Sequence, residues 1–271
     1  MKASELTLED VFEFERVFGG YALKRYLLGS VNIHIINIPP KYRGKPIIKI
    51  SEYAFCGAVL LEYLSIPETV SEIGVSAFNT MISLKRINIP HRVSQIKRYT
   101  FSDCRKLEEI ILPKKISVIG GNAFYNCCDL RSVVFPDKEV EVKRNAFAKC
   151  PNLPAETVIK GLFGQIDDEI KNPGDMEFDL ETALRPDVFG IALSHGLCNM
   201  TDMSELMTQI IVEQRAALLP IMCDNGWLSD KEQVDRLTEL AVQNGSTECT
   251  VWLLNYKNRK FGFNGGDNYE L

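Results

Sequence analysis

Apolar positions in the first half of the chain recur with one step. Phe55, Phe78, Phe101, Phe124 and Phe147 are each separated by 23 residues. Leu61, Leu84, Leu107, Leu130 and Leu153 keep that step, as do Pro67, Pro90, Pro113 and Pro136, and the row Ile50, Ile73, Ile96, Ile119 and Val142. Columns held in one register define a tandem array. One unit reads Leu84-x-x-Ile87-x-Ile89-Pro90-x-x-Val93-x-x-Ile96, then Thr100-Phe101-x-x-Cys104-x-x-Leu107. Alternation from Ile87 to Ile89 predicts a short strand with one buried face. The proline ends its ladder and turns the chain. A second extended piece runs through Val93 and Ile96, and the Phe and Cys then plug the far side of the coil. One turn is too small to bury these residues alone. Turns stacked at the strand spacing of ~4.8 Å bury them against their own copies.

The array opens with Ile33-x-x-Ile36-x-Ile38-Pro39, and Lys41-Tyr-Arg-Gly-Lys45 forms an insertion after it. Gly44-Lys45 lacks the upstream glycine and the Ser/Thr of a phosphate-binding loop. Thr7-Leu-Glu-Asp10 resembles a capping box, and Leu8, Val11, Phe12, Phe14, Val17 and Phe18 supply apolar faces. Residues 1–20 are therefore expected to form a helical N-terminal cap on the stack. A membrane anchor would need a basic polar face that this stretch lacks.

The spacing fails after Leu153. Asn172-Pro173-Gly174-Asp175 is a linker signal, and Asp167-Asp-Glu169 fits a solvated helix face. Helical periodicity follows. Val188, Ile191, Ala192 and Leu197 fit one helix, and Leu206, Ile210, Ile211, Ala217 and Leu218 a longer one. Ser229-x-x-Glu232 is a capping box for the helix carrying Val234, Leu237 and Ala241. Asn244-Gly245 ends it, and Thr247 begins another. The tail Phe261-Gly-Phe-Asn-Gly-Gly-Asp267 reads as loose.

The Leu-x-x-Ile-x-Ile-Pro…Ile…Ala-Phe-x-x-Cys-x-x-Leu pattern resembles the BspA-like leucine-rich repeats of bacteria and some protists. The match covers about residues 21–154, and Gly-Lys-Pro-Ile is typical of the family's first repeat. The resemblance implies a bacterial surface or interaction protein whose shared motif is not catalytic. Leu240 to Leu254 is similar to an ankyrin helix pair, and Leu218-Leu219 lies 35 residues before Leu253-Leu254. The Thr-Pro-Leu-His turn of ankyrin repeats is absent. The expected fold class is α+β: a helical cap over 1–20, a leucine-rich-repeat β-solenoid over 21–154, and an acidic α-helical, ankyrin-like domain over 155–271.

Composition adds a charge asymmetry. The 271 residues are 45% hydrophobic and 25% charged, which is ordinary globular composition. Residues 1–154 hold 22 Lys and Arg against 16 Asp and Glu, whereas residues 155–271 hold 9 against 20. The halves therefore carry opposite net charge, which suits mutual docking or separate partners. No apolar run approaches the ~20 residues of a membrane helix. The first ten residues show no apolar leader core, so a cytoplasmic protein is expected, or a cell-surface one if the chain is a fragment.

Candidate chemistry is sparse. Cys104, Cys127 and Cys150 share a column with Ala58 and Met81, so that slot is apolar and its thiols are expected buried and reduced. His195-x-x-Cys198 is half a zinc pattern without a second pair, so no metal and no cofactor is expected. His34 and His91 face solvent by register and pair with no nucleophile. An enzyme would need an unrecognised site at the junction of the halves, such as His195 with Asp187 and Cys198. The column Arg92, Lys115 and Lys138 forms a basic ladder, but no aromatic residues interleave with it to stack nucleic-acid bases. An acidic protein surface suits it better. Two outward columns change character along the stack. Ser65 and Asn88 give way to Ile111 and Val134, and Glu72 and Gln95 give way to Val118 before Glu141. Ile111, Val118 and Val134, with Arg92, Lys115 and Lys138, are the candidate interaction surface. The expected function is a non-enzymatic protein–protein interaction scaffold, with no nucleic-acid or membrane partner. Its partner is another protein or the chain's own C-terminal domain; a BspA-like adhesin is the alternative.

Overall fold

The computed structural model describes residues 6–29, 31–162, 185, 188, 207–224 and 228–262. It divides into two compact units, Met1–Thr182 and Ala183–Leu271.

The first unit opens with α1 (Leu8–Val11), a single helical turn. The Thr7–Asp10 capping box forms as read: the Thr7 side chain accepts from the Asp10 backbone N–H, and the Asp10 carboxylate accepts from the Thr7 N–H. The expected helical cap stops there. Residues beyond it form β1 (Phe12–Val17), antiparallel to β2 (Gly20–Tyr26). The physical reason lies in the pattern Phe-Glu-Phe-Glu, which has period two, and in the two-residue Phe18-Gly19 turn. Gly19 has φ +88°, and a Cβ on Gly20 would sit 2.2 Å from the Pro46 carbonyl oxygen.

Next come β3 (Ile35–Asn37), β4 (Lys41–Tyr42) and β5 (Lys45–Ile50). The insertion is the tight β4–β5 hairpin, with Arg43 at φ 47° and Gly44 at φ 76°. Each later turn supplies two short strands, as the pattern predicts. The first column holds β6 (Tyr63–Ser65), β8 (Arg86–Ile87), β10 (Glu109–Ile111) and β12 (Ser132–Val134). The second holds β7 (Glu72–Ile73), β9 (Gln95–Ile96), β11 (Val118–Ile119) and β13 (Glu141–Val142). Pairing is parallel and in register, Ile36 to Leu64 to Ile87 in one sheet and Ile96 to Ile119 to Val142 in the other.

The phenylalanine column is the core. Phe55, Phe78, Phe101, Phe124 and Phe147 are all buried, with successive ring centroids 5.7, 5.2, 5.2 and 5.4 Å apart. The N-terminal hairpin continues the stack, because Tyr26 lies 5.4 Å from Phe55 with its ring nearly parallel. At the far end α2 (Ala155–Leu162) closes it: the Asn145 N–H donates to the Gly161 carbonyl at 2.7 Å. This helix packs on the last repeat turn, which is why the first compact unit runs past residue 154. Cys104, Cys127 and Cys150 are buried beside the rings, and their thiols donate to the Phe78, Phe101 and Phe124 carbonyls at 3.2, 3.1 and 3.0 Å.

Two corners of each turn take left-handed backbone. Tyr53, Ser76, Tyr99, Asn122 and Asn145 form one such column, and Thr80, Asp103, Asn126 and Lys149 the other, with φ between 53° and 60°. Asparagine suits that conformation and tyrosine does not.

In the second unit residues 207–212 are helical, but the expected long helix breaks. Gln214 has φ 57°, and a 3-10 turn, Ala216–Leu218, leads into α3 (Leu219–Asp224). Pro220 falls in the first turn of α3, where its missing N–H costs no intrahelical hydrogen bond. The next helix, α4 (Lys231–Gln243), is capped by Asp230 rather than Ser229; its carboxylate accepts from the Glu232 and Gln233 N–H groups at 3.3 and 3.2 Å. Gly245, at φ 66°, reverses the chain into α5 (Thr247–Phe261). Val234, Leu237, Ala241, Cys249, Leu253 and Tyr256 are the buried apolar residues of this helical hairpin. The linker signal at 172–175, Asp167–Glu169, and the tail beyond Gly262 lie outside the described residues.

Candidate functional site

The parallel ladder sets the geometry of the first outward column. Ile111 pairs directly with Val134 across β10 and β12, and the two are 61% and 43% exposed. Ile110 and Leu112, which flank Ile111, point inward and are buried, and Val133 and Phe135, which flank Val134, are half-buried. The alternation that buries one set thus holds the other in water.

Val118 belongs elsewhere. It sits in β11 between Gln95 and Glu141, in the second sheet, and is half-buried. The structure therefore pairs Ile111 with Val134 but assigns Val118 to a different ladder. Arg92, Lys115 and Lys138 are exposed and occupy equivalent turns between the two strand columns. Lys138 Nζ donates to the Lys115 carbonyl at 3.3 Å, which puts adjacent members of this row one turn apart.

Other charges are paired from turn to turn. Glu62 lies 3.2 Å from His34 Nδ1 and 2.6 Å from Lys85 Nζ. Glu72 lies 3.2 Å from Lys49 and 2.9 Å from Lys97, and Glu68 contacts His91. The Lys85 hydrogen bond holds the Glu62 carboxyl below its ordinary range, and Glu62 in turn raises Lys85. Burial pushes Glu72 up, but hydrogen bonds from Lys97 and Lys49 outweigh it and leave the carboxyl lowered. Arg92, Lys115 and Lys138 form no ion pair with the described residues.

A second outward column escaped the sequence reading. Ile35, Tyr63 and Arg86 precede the inward residues Ile36, Leu64 and Ile87, and Ile35 is 61% exposed. With Asn37, Ser65 and Asn88 they border a shallow groove of about 310 Å³. The signal was available, since Ile35 and Tyr63 are large apolar residues at an outward register position. Asn88 is committed to the fold: its amide accepts from the Ile66 N–H at 2.8 Å and donates to the Ile66 carbonyl at 2.7 Å.

Cys104, Cys127 and Cys150 offer no reactive thiolate, because burial pushes the Cys104 and Cys127 thiols up and all three side chains lie inside the stack. Asp187, His195 and Cys198 lie outside the described residues. Among the described residues no cluster of His, Cys, Asp and Glu could hold a metal ion, and no helix is long and apolar enough to cross a membrane. In the second unit, Trp252 stacks on Tyr256 at 5.2 Å beside an open groove also lined by Cys223, Arg259 and Lys260.

Short parallel strands repeating every 23 residues around a stacked phenylalanine core define a leucine-rich-repeat β-solenoid. Residues 23–154 match the BspA type leucine rich repeat region in six copies, and the repeat part of this chain belongs to that family. It is similar to a leucine-rich repeat protein of T. pallidum: 30% identity, TM-score 0.50, covering 54% of this chain and 68% of that one. A leucine rich cell surface protein from Faecalibacterium prausnitzii matches at 27% identity and TM-score 0.48, over 52% of this chain and 36% of that one. A leucine-rich repeat protein from Bacteroides ovatus matches at 28% and 0.44, over 55% and 46%. The family match ends before the helical second unit. No curated protein matches the chain.

Proposed function

We propose that this protein is a non-enzymatic protein–protein interaction scaffold that works through the outer face of its repeat ladder. BspA-type leucine-rich repeats are in general surface and protein-interaction repeats. The observation that carries the reading is the Ile111–Val134 pair, fixed side by side on a rigid ladder and exposed to water in the two turns that also carry Lys115 and Lys138. Neighbouring exposed apolar groups of this kind mark contact surfaces. The opposite charge of the two halves favours a second reading, in which the acidic half of the chain covers this face. The α4–α5 hairpin, and the Ser246 hydroxyl bonded to the Ile211 carbonyl 35 residues earlier, support an ankyrin-like character for the second unit.

Photo-crosslinking in producing cells tests the reading. A p-benzoylphenylalanine replacing Ile111 should yield a protein adduct, and one replacing Arg25 should not. Adducts at neither position, or equally at both, would remove the recognition face. For its location we propose the cytoplasm, with the cell surface as the alternative if the chain is a fragment. Fractionation of the same cells tests this, because an adhesin would travel with the envelope.

A further inference from the structure

We infer that the face of β10 and β12, together with its cation row, receives an extended segment of a partner protein in which acidic and large apolar residues alternate. This rests on the protein-recognition reading above and names the chemistry of the partner.

Two features coincide in the turns that carry Lys115 and Lys138. The first is charge. In the earlier turns Glu62 is bracketed by His34 and Lys85, and Glu72 by Lys49 and Lys97. Arg92, Lys115 and Lys138 break that habit. They follow one another turn by turn with no carboxylate of the described residues in ion-pair reach. Like charges one strand spacing apart, ~4.8 Å, repel one another until an anion arrives. The second feature is apolar. The column that holds Asn37, Ser65 and Asn88 in earlier turns holds Ile111 and Val134 here. The inward positions of these turns are taken by other residues, Ile110 and Leu112 in one and Val133 and Phe135 in the next. Covering such groups gains about 25 cal/mol per Å² of apolar surface.

One ligand must therefore bring carboxylates and apolar groups side by side. An extended peptide presents successive side chains to opposite sides. Laid along the boundary between the sheet face and the turns, it sets apolar residues over Ile111 and Val134 and carboxylates over the cation row. Three cations in adjacent turns span about 10 Å, close to what two or three side chains on one side of a strand cover. A nucleic-acid backbone would satisfy the cations and leave the apolar pair bare.

The test uses the full chain and a fluorescein-labelled nonapeptide, Asp-Phe-Glu-Leu-Asp-Phe-Glu-Leu-Asp, read by anisotropy at low and high salt. Micromolar binding that weakens with salt is expected. Lys115→Glu with Lys138→Glu should weaken it about tenfold, within what two exposed charge contacts supply. Ile111→Asp with Val134→Asp should do the same, with circular dichroism unchanged. Arg25→Glu with Lys41→Glu, an equal charge change elsewhere, should leave binding intact. A peptide of the same composition with its apolar residues grouped at one end should bind more weakly. Absence of binding, equal binding of the regrouped peptide, or indifference to both double variants would overturn the inference. So would preferential binding to phosphatidylserine vesicles, lost in the same variants, which would assign a membrane. Crosslinking of a photoreactive residue at 111 to residues 163–271 of the same chain would overturn it in favour of self-docking. A cellular protein adduct at 111 without peptide binding would leave the recognition reading standing and remove this one alone.

Discussion

Replacing Phe101 by alanine removes the middle ring of the stack. Phe101 is fully buried, and its ring lies 5.2 Å from both Phe78 and Phe124, tilted by 22° and 9°. Loss of its buried surface costs about 2–3 kcal/mol. The unfilled space and the two lost ring contacts bring the total to about 3–5 kcal/mol. The turns on either side cannot close the gap, because hydrogen bonds along the ladder fix their spacing. The chain offers two separate probes. Seven of its nine tyrosines lie in residues 1–154, whereas both tryptophans, Trp227 and Trp252, lie beyond them. Urea unfolding followed by tyrosine emission should shift to lower denaturant, and the tryptophan transition should stay in place. A loss below about 1 kcal/mol, outside the range for a buried ring, would refute the stacked register.

Other outcomes follow from the same geometry. Cys104, Cys127 and Cys150 should resist alkylation in the folded protein while the exposed Cys56 labels first, as mass spectrometry of native samples would read. Tyr53→Asn should stabilise the repeats by about 0.5–1 kcal/mol, because Tyr53 is exposed at φ 57° and asparagine tolerates that backbone better; an unchanged or lower melting temperature would contradict it. Glu62 has a folded pKa below its ordinary 4.5, so its contribution is present above that value and lost as pH falls through the folded pKa. Acid titration of Glu62→Gln should accordingly show a shallower loss of stability below pH 4.5 than the parent.

The repeats were legible because every turn obeys one pattern, and a strand with period two announces its own buried face. Proline, phenylalanine and leucine columns gave register as well as element type, and with them the outward positions of Ile111 and Val134. The N-terminal cap misled because Thr7 to Asp10 does start a helix, and no local signal outweighs that box until Phe12-Glu-Phe-Glu is read as an alternation. Pairing of β1 with β2, and of β2 with β5, is a long-range contact that one segment cannot display. Val118 groups with Ile111 in the sequence because both columns turn apolar in the same region. Only the ladder shows that they belong to separate sheets. In the second half, the cap moved by one residue, from Ser229 to Asp230, and the helix expected through Leu218 broke at Gln214. Both are boundary effects, where neighbouring side chains compete for the same N–H groups and one left-handed residue ends a helix. The Ile35–Tyr63–Arg86 column hides in the sequence because the insertion at Lys41–Lys45 puts Ile35 28 residues before Tyr63, out of the 23-residue step.

Backbone hydrogen exchange of the full chain, measured alone and with the protein captured by crosslinking at position 111, tests the recognition face most directly. Protection should rise at residues 86–92, 109–115 and 132–138, while amides beside Phe78, Phe101 and Phe124 stay as slow as before. Unchanged exchange in those three segments, or protection confined to residues 207–262, would contradict a function carried by the repeat ladder.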